Sequence, residues 1–244
     1  MRESESITGI SKELEMLRQE KEKLIGLISH DLRSPYNRLH ALLQLMQMND
    51  ANLNADQKMY LEKMHIVVAD ALSMMRNLMD YRSLELNLLE LRPELMDAGE
   101  LVQQVVKNFS AVAIRKGITI DLHNIRDAMV IADRYCLQRA VENILSNAIK
   151  FSFPGKKVVI RIHRGEESID IEVSDEGQGI KHEELPRLGE KFIKLSPRPT
   201  AGESATGLGL YITRSLLQQN HGSLTWKSLE GRGSIFTIRL PAVS

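Results

Sequence analysis

The stretch LIGLISHDLRSPYNRLHALLQLM places a histidine and a carboxylate side by side, His30 and Asp31. A carboxylate bonded to one imidazole nitrogen fixes the tautomer and leaves the other nitrogen as a nucleophile. At roughly 100° per residue, Leu24, Ile28, Leu32, Pro35, Leu39, Leu42, Leu43 and Met46 gather on one side of a helix. His30 falls about 200° from Ile28 on the same wheel, almost opposite that stripe. Ser34, Asn37 and Ala41 share its side, so the imidazole faces solvent among residues small or polar enough to let another domain approach. Pro35 removes a backbone donor and bends the helix near His30. Taken alone, a surface histidine on a kinked helix would look the same, and the weight falls on the other motifs.

Three of these suit a nucleotide. No G-x-x-x-x-G-K-[ST] occurs, so a P-loop is excluded. Asn143, Asn147 and Lys150 follow at intervals of four and three, which puts two amides and an ammonium on one helix face. Such a face can hold a hydrated Mg²⁺ and phosphate oxygens. In DEGQGI, Asp175 can accept from an exocyclic amine, and Gly177 and Gly179 let backbone approach a ring closely. In TGLGLYITRSLL, glycines open a helix whose N-terminal amides suit phosphate. The segment Phe192–Ala205, with two prolines and a glycine, reads as a mobile loop leading to that helix, and its Lys194 and Arg198 have the reach for phosphates.

The elements that must position these residues follow two different periods. Up to about residue 90, apolar residues step by threes and fours. Ile7, Ile10, Leu14, Leu17, Leu24 and Ile28 form a heptad seam interrupted by Lys21, the pattern of a coiled-coil helix entering from upstream. After a break at Asn49–Asn54, where Asn54 and Gln57 resemble a capping box, Leu61, Met64, Val68, Ala71, Met75 and Leu78 form a second stripe. Tyr60, Val67, Met74 and Tyr81 widen it beyond what one partner helix covers, which predicts a hairpin that dimerises into a four-helix bundle.

Beyond Arg92 the pattern becomes mixed. Asp97 caps a helix through about Arg115, and Asp133 caps another. Ile118–Leu122, Met129–Ala132, Val158–His163, Ile169–Ser174, Ser223–Ser228 and Ser234–Leu240 read as strands. Gly207–Asn220 reads as a helix closed by His221-Gly222. The fold class is therefore α plus α/β: a dimeric helical-hairpin domain followed by a two-layer α/β sandwich. The formal net charge is zero and aromatics are 5% of residues, which argues against a nucleic-acid partner. The single Cys136 suits a reducing compartment, and no apolar run reaches the roughly 20 residues of a membrane span. The segment is expected in the cytoplasm with no direct membrane contact, either alone or as the cytoplasmic part of a membrane-bound sensor.

In order and spacing, SHDLRSP, NILSNAIKF, DEGQGI, EKFIKLS and TGLGLYI resemble the five sequence boxes of sensor histidine kinases, over about Leu24 to Leu240. The resemblance implies a coiled-coil signalling helix over 1–23, a dimerisation and phosphotransfer hairpin over 24–90 and a gyrase-type ATP-binding domain over 91–244. It implies that His30 takes the γ-phosphoryl group of ATP, with Asp31 orienting it, and that Asn147 holds Mg²⁺. Asn143 and Lys150 would lie at the phosphates, Phe151 near the adenine and Asp175 at its amino group. Gly177, Gly179, Ile180, Lys194, Thr206, Gly207, Leu208, Gly209 and Leu210 complete the implied nucleotide contacts. The implied partner is a response-regulator receiver domain, whose aspartate takes the phosphoryl group from a homodimer of this chain.

Some positions depart from the commoner family pattern. Asp31 stands where glutamate is usual, and Tyr36 replaces a smaller apolar residue. Ser34 stands where threonine or asparagine often positions the water that dephosphorylates the partner, which puts phosphatase activity in doubt. Two other classes of protein share parts of this pattern. A nucleotide-binding scaffold would lack one of the motif residues, and none is missing. A gyrase-like hydrolase would carry a glutamate at Asn143 to activate water. The Leu91–Pro93 region is expected to be the hinge between the two domains.

Overall fold

The computed structural model describes residue 32 and residues 34–47, 53–123, 127–203 and 205–243. The chain divides into two compact units, Met1–Leu88 and Leu89–Ser244.

In the first unit a helix over 34–47 (α1) is followed by α2, Ala55–Glu85. The capping box at its start is complete. Asn54 Oδ1 accepts from the Gln57 N–H, and Gln57 Oε1 accepts from the Asn54 N–H, each at 2.9 Å. Leu43 of α1 packs with Leu61, Val68, Leu72 and Met75 of α2, bordered by Tyr36, Leu53 and Ala71. Part of the apolar stripe is exposed: Leu39, Leu42, Leu45 and Met46 on α1, with Tyr60, Met64 and Val67 on α2, Val67 at 65%, whereas Tyr81 is buried and Met74 and Leu78 are half-buried.

The second unit opens with β1, Pro93–Asp97, which the sequence reading did not include as a strand. It pairs antiparallel with β3, Met129–Asp133, as a two-stranded sheet. Five residues starting in proline, of which only Met96 is buried among the apolar ones, give too little alternation to stand out. Arg92 also belongs to this unit, because its N–H donates to Asp133 Oδ2 at 2.8 Å. Of the residues expected to form the hinge, Leu91–Pro93, Arg92 is thus fastened to this unit, and the irregular residues 86–91 lie between it and α2.

Three helices pack on a five-stranded sheet of order β2-β4-β5-β7-β6. The strands are β2 (Thr119–His123), β4 (Lys157–Arg164), β5 (Ser168–Asp175), β6 (Ser223–Leu229) and β7 (Gly233–Pro241). Only β2 and β4 run parallel. The helices are α3 (Ala98–Arg115), α4 (Arg134–Phe151) and α5 (Gly209–Gln219), with a short 3-10 turn at His182–Arg187 that the sequence reading left out. Each sheet strand has period two, and β5 shows why this matters. Ile169, Ile171 and Val173 are buried, and the same alternation makes Asp175 the fourth buried position of the row. The hydrophobic pattern thus delivers a carboxylate to the end of the core-facing row.

Both predicted aspartate caps are present. Asp97 accepts from the N–H groups of Gly99 and Glu100. Asp133 accepts from the Cys136 N–H at 2.9 Å as well as from Arg92, so one carboxylate caps α4 and fastens the chain entering β1. Burial works to raise its pKa, but the N–H groups of Arg92, Cys136 and Tyr135 outweigh that and leave it lowered. A lowered folded-state value means that the contribution of Asp133 is present at neutral pH and is lost as pH falls below 3.8 through that value. Replacing Asp133 by Ala is expected to cost about 2 kcal/mol, the upper end for a cap, because two donors are orphaned together. Urea unfolding at pH 7 measures this, and a loss below about 0.5 kcal/mol would show that water replaces the cap freely.

Candidate functional site

Helix α4 carries the polar face expected of it. Leu137, Val141, Ile144, Leu145, Ala148 and Ile149 are buried, while Asn143, Asn147 and Lys150 stay half-buried on the other side. Asn143 and Phe151 are eight positions apart on this helix, about 12 Å at 1.5 Å per residue. Each end of that span meets one of the glycine motifs.

At the Asn143 end lies the start of α5. Asn143 Nδ2 donates to Thr213 Oγ1 at 2.8 Å, and Thr213 is fully buried. A side chain at Gly209 would place its Cβ 2.6 Å from Asn143 Oδ1, so glycine there keeps the asparagine in position. The sequence reading started this helix at Gly207. The structure starts it two residues later, because Gly207 has φ +72° and stands outside the helix. A Cβ at Gly207 would meet the Ile193 carbonyl oxygen at 2.7 Å, and the Gly207 carbonyl accepts from the Phe192 N–H. Leu208, the buried N-cap residue of α5, supplies no side-chain cap. Backbone N–H groups at a helix start suit an anion such as phosphate.

At the Phe151 end lies the 175–180 loop. A Cβ on Gly177 would sit 2.6 Å from the Phe151 carbonyl oxygen, so helix end and loop touch backbone to backbone. Asp175 is 8% exposed, and burial pushes its pKa up to about 6, against the pull of the Gly177 and Ser234 N–H groups. A desolvated carboxylate with a raised pKa is a candidate acceptor for an external donor. Ile180 is buried, and its N–H donates to Ser228 Oγ at 2.9 Å. Ser228 Oγ lies 2.9 Å from Ser234 Oγ, so two hydroxyls brace the loop from behind.

Between the two ends runs segment 192–203. Gln178 and Arg198 exchange hydrogen bonds, with Gln178 Nε2 donating to the Arg198 carbonyl and the Arg198 N–H donating to Gln178 Oε1. Lys194 is exposed, and Thr206 accepts from the Leu208 N–H at 3.3 Å. The segment read from sequence as a mobile loop is irregular, but it is tied down at several points.

The structure thus gathers Asn143, Asn147, Lys150 and Phe151 on α4, Asp175, Gly177, Gly179 and Ile180 on one wall, and Thr206, Gly207, Leu208, Gly209 and Leu210 at the start of α5. It leaves Lys194 pointing to solvent. Ser34 is exposed on α1, whereas His30 and Asp31 lie outside the described residues. The sequence reading missed Thr213, Gln178, Ser228 and Ser234. Thr213 was findable, since it lies four residues after Gly209 and shares its helix face. The serines were not, because their role depends on which strands become neighbours.

Comparison with known proteins agrees with this geometry. Residues 132–244 match the family of histidine kinase-, DNA gyrase B- and HSP90-like ATPases. The sensor histidine kinase RcsC of Escherichia coli is 27% identical over 97% of this chain and 25% of its own length. The aerobic respiration control sensor protein ArcB of the same organism is 29% identical over 95% of this chain and 30% of its own. The histidine kinase AdeS of Acinetobacter baumannii has a solved structure that is 25% identical, with a TM-score of 0.58 over 88% of this chain and 98% of its own. The matched residues run from the end of β3 through α4, the 175–180 loop and α5, and so include the polar face of α4 and both glycine motifs. Over nearly its whole length the chain is similar to sensor histidine kinases, and it spans about a quarter to a third of the length of the two curated relatives.

Proposed function

We propose that this chain is the kinase portion of a two-component sensor, which transfers the γ-phosphoryl group of ATP to His30 and from there to an aspartate of a response-regulator receiver domain. The observation that carries the reading is the α4 face, with amides at one end against a glycine-opened helix start and, at the other, a buried carboxylate held by backbone N–H groups. Adenine enters at Asp175, which accepts from its amino group, with Gly177, Gly179, Ile180 and Phe151 around the ring. The phosphates lie at Asn143, Lys150 and the amides of Thr206–Leu210, and the solvent-exposed Lys194 would have to swing inward to join them.

A divalent ion fits this donor set. Among the described residues no group of three His, Cys, Asp or Glu could form a cage for a metal. The half-buried amide of Asn147 instead offers one oxygen beside the place for phosphates, the sparse kind of site that suits Mg²⁺. Asn147 would hold it, and the ion would supply neutralisation of phosphate charge. Phosphoryl transfer of this kind depends on positioning and charge stabilisation more than on covalent help from the protein. Asp31 orients the His30 imidazole, and Asn143, an amide, is a poor base for activating water, so hydrolysis stays slow.

The proposed domains are a signalling helix over 1–23, a hairpin over 24–90 and the ATP-binding domain over 91–244. The bare stripe of Leu42, Leu45, Met46, Tyr60, Met64 and Val67 is covered in this reading by the hairpin of a second copy, giving a four-helix bundle. The receiver docks on the side of α1 that carries Ser34, Asn37 and Ala41, and Ser34 is the residue to test for any phosphatase activity. No described helix is long and apolar enough to cross a membrane. A cytoplasmic place, alone or behind a membrane-bound sensor, goes with this function.

Asp175 gives the most direct binding test. Replacing it by Asn is expected to raise the Kd of a fluorescent ATP analogue by about 30- to 100-fold, the size of a charge-assisted hydrogen bond at 1.4 kcal/mol per decade. Affinity of the unmodified chain should also fall as pH drops below about 6, where the Asp175 carboxylate takes up a proton. The sign for the free protein is the reverse. A carboxyl raised from 3.8 to about 6 favours the folded state at low pH, and that contribution is lost as pH rises through the folded value. Unchanged affinity in Asp175→Asn would remove the residue from the adenine site.

A further inference from the structure

Segment 192–203 does more than border the site. From its base, where the Phe192 N–H donates to the Gly207 carbonyl, it reaches the 3-10 turn, with the Ser196 N–H donating to Glu184 Oε1 at 2.8 Å. It then crosses the Gln178 side of the 175–180 loop at Arg198 and arrives at the C-terminal end of α4. There the Thr200 N–H donates to the Lys150 carbonyl at 3.1 Å, and Thr200 Oγ1 donates to the Ser152 carbonyl at 2.6 Å. The strap therefore spans the gap between the two walls of the site and is fastened to both.

Its last fastening is an ion pair. Lys116, the C-cap residue of α3, donates from Nζ to Glu203 Oε1 and to the Lys150 carbonyl, both at 2.8 Å. Glu203 Oε2 accepts from the Ala201 N–H, which closes a small loop around the carboxylate. The two side chains are only 8% and 18% exposed, in contrast to the water-exposed charges elsewhere on the strap. An ion pair so shielded is weakly screened by salt and has definite geometry. It joins a helix that takes no part in the nucleotide site to the very carbonyl of α4 that also receives Thr200.

We infer that Lys116, Glu203 and Thr200 form a latch that holds the strap closed over the mouth of the nucleotide site, so that these residues set the rate of nucleotide exchange. The inference rests on the reading of α4 and the 175–180 loop as the nucleotide site. A latch acts on the barrier for passage in both directions. Opening it should speed entry and release together and leave the equilibrium nearly untouched.

The test uses the whole chain, with Glu203→Ala and Thr200→Val each compared with the unmodified protein. Without nucleotide, trypsin cleavage after the exposed Lys194 is expected to be at least about fivefold faster in both variants, as more of the strap opens. With a fluorescent ATP analogue and Mg²⁺ in stopped flow, association and dissociation rates are expected to rise about tenfold together, with Kd changed less than about threefold. Unchanged cleavage would overturn the latch. Faster cleavage without faster exchange, or a rise in dissociation alone with a matching loss of affinity, would reduce the pair to a local brace and overturn the proposal as well. A chain that binds no nucleotide at all defeats the reading of the site instead, and the cleavage comparison on the free protein still decides whether the strap is latched.

Discussion

Gly179→Ala is expected to cost the second unit about 3–4 kcal/mol and to lower nucleotide affinity more than about 100-fold. Gly179 has φ +66°, and a Cβ there would lie 2.0 Å from the Leu229 carbonyl oxygen and 2.7 Å from its carbon. Both obstacles are backbone, so no rotamer relieves the collision. The loop would have to lift from the end of β6, losing the bond from the Gly231 N–H to the Gln178 carbonyl and the one from the Ile180 N–H to Ser228 Oγ. Left-handed strain of about 1 kcal/mol and two lost bonds of about 1 kcal/mol each account for most of the estimate.

For a domain of this size the melting temperature should drop by roughly 10 °C, which thermal unfolding by circular dichroism measures. Gly231→Ala is the control. Its φ of +75° carries similar strain, but a Cβ there meets nothing within 4 Å. Similar losses in the two variants would mean that strain, not backbone contact, demands glycine at 179. The effect on binding follows from the same displacement, because the wall that holds Asp175 and Gly177 moves with the loop.

Much of this architecture was legible beforehand where one residue type carries one local job. Asp97 and Asp133 announced two helix starts, because a carboxylate just ahead of an apolar-periodic run has few better uses. The period-two runs of β4, β5 and β7 were equally plain, since apolar residues hold every second place: Val158, Ile160 and Ile162, then Ile169, Ile171 and Val173, then Phe236, Ile238 and Leu240. The same rule, carried two residues past Val173, accounts for the burial of Asp175. The start of α5 was misplaced because TGLGL supplies helix-compatible residues on both sides of Gly207, and only the positive φ there shows where the helix begins.

What stayed hidden depends on tertiary neighbours. Strand β1 exists because β3 offers it a partner and Asp133 holds Arg92, neither of which is written within Pro93–Asp97 itself. Lys116 and Glu203 are 87 positions apart, and each alone is an ordinary surface residue type. Asn143 was found by its spacing, but Thr213, which fixes its amide, becomes visible only when α4 and α5 are packed together.

His30→Ala is expected to abolish phosphate incorporation while leaving nucleotide affinity within about twofold, because the proposed nucleotide site lies wholly in the second unit and the proposed nucleophile in the first. Removal of a covalent nucleophile leaves no second route for the group, so the loss should exceed roughly 10³-fold. His40 is the natural competitor: it belongs to α1, and its ring lies 4.9 Å from that of His65. His40→Ala is expected to keep at least about half of the incorporation, since a ring packed against another ring is poorly placed for in-line attack. Retention of label in His30→Ala would move the nucleophile elsewhere, and loss of label in His40→Ala alone would name its replacement.

The central claim is that a nitrogen of this chain accepts the γ-phosphoryl group of ATP. Incubating the unmodified chain with γ-labelled ATP and Mg²⁺, then treating the labelled protein with acid and with alkali, tests it most directly. The expected label is removed by acid and left in place by alkali, the behaviour of a phosphoramidate, and is absent from His30→Ala. Label that survives acid would put the phosphate on an oxygen, and no label from a chain that binds the nucleotide would contradict the assignment of kinase activity to it.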